Sequence, residues 1–126
     1  LSVDYEPSFL IVDDSHFTRK AIRNIIEANK LSRKIFEAGD GVEAVIKYKE
    51  HHPTLVTMDV LMPKADGVQA LRAIRKLDPD AKVIMVSSTG KSHIVQDSMK
   101  AGAIDYILKP FDPAQMAMKL SRYGRF

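Results

Sequence analysis

The feature that most constrains this chain is an alternation: five short apolar runs, each followed by a stretch with helical spacing. The runs are Phe9–Val12, Lys34–Ala38, Leu55–Met58, Val83–Val86 and Ile104–Leu108. The first, third and fourth are apolar almost without interruption, as strands covered on both faces require. Between the runs, Phe17, Ala21, Ile25 and Ile26 form one helical stripe. Val42, Val45 and Ile46 form a second, and Val68, Leu71 and Ile74 a third. A weaker fourth passes through Ile94, Val95, Met99 and Ala101, and a last one through Met116, Ala117 and Leu120. Gly39-Asp40-Gly41, His52-Pro53, Asp66-Gly67, Asp78-Pro79 and Lys109-Pro110 punctuate the boundaries, with Asp66 placed to cap the third helix.

Strict β–α alternation predicts an α/β fold: a parallel sheet, right-handed crossovers and helices on both faces. A chain of 126 residues suits one domain with a single substantial core, and the six methionines suit packing within it. No apolar run is long enough to span a bilayer and none reads as a signal peptide, so no membrane insertion is expected. Cysteine is absent, which excludes disulfides and thiolate metal sites and fits a reducing compartment. Nineteen Lys and Arg against sixteen Asp and Glu leave a net charge of +3. They form no dense basic run, so the surface reads as solvated and mildly basic, with no direct nucleic-acid contact. His51 and His52 precede a proline, and His16 and His93 are isolated; none has metal-ligand spacing.

Parallel α/β sheets bind ligands beyond the carboxyl ends of their strands, at the point where strand order reverses. Here those ends carry Asp13-Asp14, Asp59, Ser87-Ser88-Thr89 and Lys109-Pro110. The fold therefore predicts one pocket holding three carboxylates, a hydroxyl and an ammonium. Three adjacent carboxylates repel one another unless a cation joins them. Oxygen-only ligands with room for water suit Mg²⁺. A carboxylate beside that ion can act as a nucleophile and form an aspartyl phosphate, with the lysine neutralising the phosphoryl oxygens. A cis Lys109-Pro110 bond in a tight turn is expected to aim the lysine at Asp59.

Phe9-Leu10-Ile11-Val12-Asp13-Asp14-Ser15, Met58-Asp59-Val60-Leu61-Met62-Pro63 with Asp66-Gly67, and Val86-Ser87-Ser88 are three ordered motifs. Ala101-Gly102-Ala103 and Tyr106-Ile107-Leu108-Lys109-Pro110-Phe111 complete a set of five. Together they resemble the receiver domain of two-component response regulators. The resemblance implies a flavodoxin-like (βα)5 sandwich, a doubly wound five-stranded parallel sheet in order 2-1-3-4-5. It implies a receiver over residues 8–123, an N-terminal extension over 1–7 and a short end over 124–126. Asp59 would be the phosphoacceptor, and Asp13, Asp14, Asp59 and the backbone carbonyl of Leu61 would hold Mg²⁺. Ser87 and Lys109 would contact the phosphoryl group. Tyr106 would follow the Ser87 shift as a switch; the family often has threonine at the Ser87 place. The output surface would be the fourth helix, fifth strand and fifth helix. Expected partners are a histidine kinase, a downstream protein and, as a further candidate, a phosphatase, all in the cytoplasm. Asp13-Asp14-Ser15-His16-Phe17 running into Arg19-Lys20 is similar to chemotaxis-type receivers. Such a domain signals rather than acting as an enzyme.

Simpler readings exist for each residue taken alone. Asp13-Asp14 could be a solvated turn, Lys109 a structural partner of Asp59, and Tyr106 a core aromatic. A carboxylate ending a buried strand nevertheless needs a partner, and a plain ion pair leaves the adjacent acids unexplained. A flavodoxin-like cofactor binder would need N–H groups aimed at phosphate, which Asp13-Asp14 would repel. A haloacid dehalogenase-type hydrolase needs a carboxylate two places after the nucleophile, where Leu61 stands. A receiver belonging to a larger regulator, and one that binds partners without phosphorylation, remain open alternatives.

Overall fold

The computed structural model describes residues 6–125. In chain order the elements are β1 (Ser8–Val12), α1 (His16–Ala28), β2 (Lys34–Ala38), α2 (Gly41–His51) and β3 (Leu55–Met58). There follow α3 (Gly67–Leu77), β4 (Val83–Ser87), α4 (Ser92–Lys100), β5 (Asp105–Leu108) and α5 (Pro113–Tyr123). All strand pairs are parallel and the order is β2-β1-β3-β4-β5, the flavodoxin-like sheet expected. Val12 stands opposite Ala38 on one side and Met58 on the other, so the crossovers diverge at β1. The ends of β1 and β3 thus flank the switch point. Of the extension expected over residues 1–7, the first five lie outside the described residues.

The sheet divides the expected single core into two layers. Side chains alternate along β1, so Leu10 and Val12 join one layer while Phe9 and Ile11 join the other. This is why the strand reads as an unbroken apolar run. Val56, Met58, Val83 and Met85 pack with Ala44, Leu71 and Ile74 of α2 and α3. Leu55, Ile84, Val86 and Ile107 pack with Ile22, Ile26, Met116 and Leu120 of α1 and α5. Each fully buried aliphatic contributes about 1.5–3 kcal/mol by leaving water. Asp66 caps α3 as predicted: its carboxylate accepts the Gln69 N–H at 2.9 Å, and Gln69 Oε1 accepts the Asp66 N–H at 3.1 Å.

Three of the predicted stripes depart from the observed faces; in α4 the one fully buried residue is Ser98, and Met99 of the expected stripe is exposed. In α1 the fully buried residues are Ile22 and Ile26, while Phe17 is 83% exposed. Phe17 lies in the first turn, which overhangs the strand ends instead of the sheet face. In α2 the buried residues are Gly41, Ala44 and Tyr48, and Val42 and Ile46 are exposed. A Cβ on Gly41 would overlap the Ala65 carbonyl oxygen, so this close approach turns the small-residue side of α2 inward. Tyr48 fills the remaining space and donates its hydroxyl to Asp78 at 2.7 Å. The methionines are likewise divided: Met58, Met85 and Met116 are buried, whereas Met99 and Met118 are exposed.

Candidate functional site

Asp13 and Asp14 occupy the short connection between β1 and α1. Ser15 caps the helix by accepting the Thr18 N–H at 3.2 Å, and Asp13 Oδ1 accepts the Ser15 N–H at 2.9 Å in an Asx-type turn. The Asp13 N–H continues the sheet ladder by donating to the Ala38 carbonyl at 3.1 Å. Asp59 extends β3 in the same way, its N–H donating to Val12 at 2.9 Å. The chain then doubles back, and the Gly67 N–H donates to the Val60 carbonyl at 2.8 Å. A Cβ at position 67 would overlap the Asp59 carbonyl oxygen, so only glycine closes this loop.

Lys109 leaves β5 with its N–H on the Ser87 carbonyl at 2.8 Å, and the Lys109-Pro110 bond is cis, as expected. Its Nζ lies 2.7 Å from Asp13 Oδ2 and 3.5 Å from Asp59 Oδ2. The lysine therefore reaches both acids but is bonded to Asp13, not aimed chiefly at Asp59. Ser87 is fully buried, and its Oγ accepts the Thr89 N–H at 3.2 Å. The Tyr106 hydroxyl donates to the Thr89 carbonyl at 2.6 Å, so Ser87 and Tyr106 meet through one residue. Leu61 stands two places beyond Asp59 with its side chain 58% exposed.

Asp13, Asp14 and Asp59 each offer a carboxylate oxygen, and these oxygens lie within 4.8 Å of one another. Asp13 is 2% exposed and Asp59 6%, whereas Asp14 is open to water. Burial pushes the Asp59 carboxyl up from 3.8 to about 6. The Asp13 charge adds to the rise, the Lys109 ammonium opposes it, and Asp14 adds a smaller push. Three acids facing one lysine leave excess negative charge. Hard oxygen donors with one side open to water fit Mg²⁺, which keeps several waters in its shell.

Two features escaped the sequence-level reading. One is a groove of about 390 Å³ beside Lys109, with Phe17, Ser88 and Phe111 among its lining residues. The other is an ion-pair network in which Arg19 and Arg23 hold Glu37 at 2.9 and 2.8 Å. A signal for the network existed: Glu37 is the one acid in the run Lys34–Ala38, and a partly buried charge in a strand needs partners.

The family model described as the response regulator receiver domain matches residues 9–121. The chemotaxis protein CheY of Bacillus subtilis is 48% identical over 102 residues, covering 81% of this chain and 84% of that protein. CheY of Thermotoga maritima is 43% identical over 117 residues, covering 92% and 96%. Among solved structures, the CheX–CheY–BeF3–Mg²⁺ complex of Borrelia burgdorferi contains a similar chain. It aligns with a TM-score of 0.87 at 41% identity, covering 94% of this chain and 90% of that one.

Proposed function

The chain belongs to the response regulator receiver family and is closely related to CheY, and from that premise we propose that Asp59 is its phosphoacceptor. Asp13, Asp14, Asp59 and the Leu61 carbonyl are the proposed holders of Mg²⁺. The observation that carries this reading is the setting of Asp59. It is a buried carboxylate at a strand end, with two further acid oxygens within 4.8 Å and an ammonium at 3.5 Å. A carboxyl raised to about 6 is ionised near neutral pH, yet it is less stabilised by solvent than an ordinary carboxylate and so better able to attack.

In the proposed reaction an Asp59 oxygen attacks phosphorus on a kinase phosphohistidine. The O–P bond forms as the P–N bond breaks, and the imidazole nitrogen leaves with the electron pair. Bound Mg²⁺ would supply positive charge to the transferring oxygens. Lys109 pairs with the incoming phosphoryl oxygen, and the Ser87 hydroxyl turns from the Thr89 N–H to donate to another. Because the Tyr106 hydroxyl holds the Thr89 carbonyl, that turn carries to the α4-β5-α5 face. Asp105 steadies this face by accepting from Lys119 at 2.9 Å and from the Tyr123 hydroxyl at 3.1 Å. A downstream protein is the proposed reader of the face, within a cytoplasmic chemotaxis pathway. The Borrelia complex of a CheY with CheX, BeF3 and Mg²⁺ supports the reading of the site as one served by metal and protein together.

The test is intact-mass analysis after incubation with acetyl phosphate and Mg²⁺. The wild type should gain one phosphoryl group and Asp59→Asn none; equal labelling of the variant would remove Asp59 from the role.

A further inference from the structure

Asp13 is held at every polar atom. Its N–H donates to the Ala38 carbonyl, Oδ1 accepts from the Ser15 N–H and Oδ2 from Lys109. Its backbone carbonyl accepts from Arg19 Nη1 at 2.6 Å. That carbonyl belongs to the peptide unit joining Asp13 to Asp14, and Asp14 itself is exposed. The orientation of this one peptide plane therefore decides where the Asp14 carboxylate stands relative to the buried pair. We propose that Arg19 is a positioning residue for the metal end of the site, clamping the Asp13–Asp14 peptide in the geometry that two acids need to share a cation. The inference rests on the reading of the acid cluster as a Mg²⁺ site.

Arg19 suits this work because its guanidinium is a planar fork already fixed at its other branch. Nε donates to Glu37 Oε1 at 2.9 Å, so the side chain bridges α1, β2 and the acid loop at once. Glu37 is fixed in turn. Arg23 Nε donates to its Oε2 at 2.8 Å, and Lys47 Nζ to its carbonyl at 2.6 Å. Burial works to raise the Glu37 carboxyl, but hydrogen bonds from Arg23 and Arg19 outweigh it and hold it below its usual value. Glu37 is thus a charged anchor that also offsets the guanidinium beside a cation site. Mg²⁺ demands near-ideal octahedral geometry, so a swing of the Asp14 backbone is felt more sharply than at a permissive ion. A lysine at position 19 could make one of the two bonds but not both.

Arg23 supplies the control. It grips the same Glu37 and the Ile35 carbonyl but makes no bond to Asp13. Calorimetric titration with Mg²⁺ should show Arg19→Ala binding about tenfold more weakly than wild type, as losses of outer-shell partners do. Arg23→Ala should stay within about twofold. Labelling by acetyl phosphate should slow in Arg19→Ala at limiting Mg²⁺ and recover at saturating Mg²⁺. If Arg19→Ala fails to fold, Arg19→Lys takes its place with a smaller loss in the same direction, because the ammonium keeps only one of the two bonds. An unchanged dissociation constant, equal losses in the Arg19 and Arg23 variants, or a labelling defect that persists at saturating Mg²⁺ would each overturn the assignment. Wild-type protein that takes up no Mg²⁺ would instead bring down the metal reading, and the inference with it.

Discussion

Asp59→Asn in metal-free protein tests the electrostatic account of the site directly. Asp59 ionises near 3.8 when unfolded and near 6 when folded, a rise of about two units. At about 1.36 kcal/mol per unit, the ionised carboxylate costs the native state about 3 kcal/mol. Below the unfolded value both states hold the proton and nothing is lost. Between the two values the unfolded chain releases the proton while the folded chain keeps it, so stability falls as pH rises. Above about 6 both are ionised and the whole penalty stands. Asparagine has nearly the shape of the protonated carboxyl and never takes the charge. The variant forfeits the 3.5 Å approach to Lys109, but the 2.7 Å bond from Lys109 to Asp13 survives. A gain of about 1–3 kcal/mol near neutral pH is therefore expected, or a Tm higher by roughly 4–12 °C in a domain of this size. The assay is urea unfolding followed by circular dichroism, with chelator present, from about pH 4 to pH 7.5. The gain should shrink toward the acid end. A variant no more stable than wild type at neutral pH, or a gain indifferent to pH, would refute the reasoning.

Millimolar Mg²⁺ should raise the wild-type Tm by binding the native state, about 2.7 kcal/mol at a hundredfold excess over the dissociation constant. Asp14→Ala should lose most of that shift yet be no less stable without metal; a flat Mg²⁺ response in the wild type would argue against a metal site. A phosphoryl group on Asp59 should be long-lived: Leu61, exposed, stands two places beyond Asp59 and Thr89 two places beyond Ser87, and on the proposed reading neither side chain orients a water for in-line attack. Leu61→Asn with Thr89→Glu should speed its loss once the donor is removed, and an unchanged decay would show that water access there does not set the lifetime. Thr57 Oγ1 is buried in β3 without a hydrogen-bond partner, so Thr57→Val should stabilise the domain by about 1 kcal/mol. A lower midpoint in urea would mean the hydroxyl has a partner the static structure does not reveal.

Strand positions were legible because burial on both faces leaves a continuous apolar run that helices do not need. The strand Leu55–Met58, buried throughout, carries the bounds read from sequence, and so does the edge strand Lys34–Ala38, although Lys34 and Glu37 interrupt its apolar run. Helix faces were less legible. Stripe counting weighs Val42 and Ile46 above Ala44, whereas the close approach at Ala65 favours the small residue. The clustering of Asp13, Asp14, Asp59 and Lys109 was legible because strand order sends every strand end to one edge. Their pairing was not. Asp13 and Asp59 both lie within reach of Lys109, and the choice between 2.7 and 3.5 Å depends on how the Ser15 turn presents the Asp13 carboxylate. Arg19 and Glu37 were invisible as a pair because they lie eighteen residues apart and meet only when β2 lies beside β1.

That uneven sharing of Lys109 bears on the order of events. On the proposed reading, a phosphoryl group on Asp59 would draw the ammonium away from Asp13, leaving Oδ2 of a 2%-exposed carboxylate without its cation. A buried charge stripped of its partner costs several kcal/mol, so the move is unfavourable unless another cation meets Asp13. Conversely, a divalent ion held by Asp13 and Asp14 would free Lys109 to turn toward Asp59. Each event then lowers the cost of the other, and linkage makes the effect mutual: phosphorylation tightens metal binding by the same factor that metal favours phosphorylation. The lysine is the exchanged element in this account, so its preference for Asp13 in the resting site would add to the direct dependence of Asp59 chemistry on Mg²⁺. Lys109→Ala would remove this exchange and weaken the coupling, leaving only the direct attraction between the cation and the phosphoryl oxygens. Calorimetric Mg²⁺ titrations of the free and phosphorylated variant that differ as much as those of the wild type would refute the role given to the lysine.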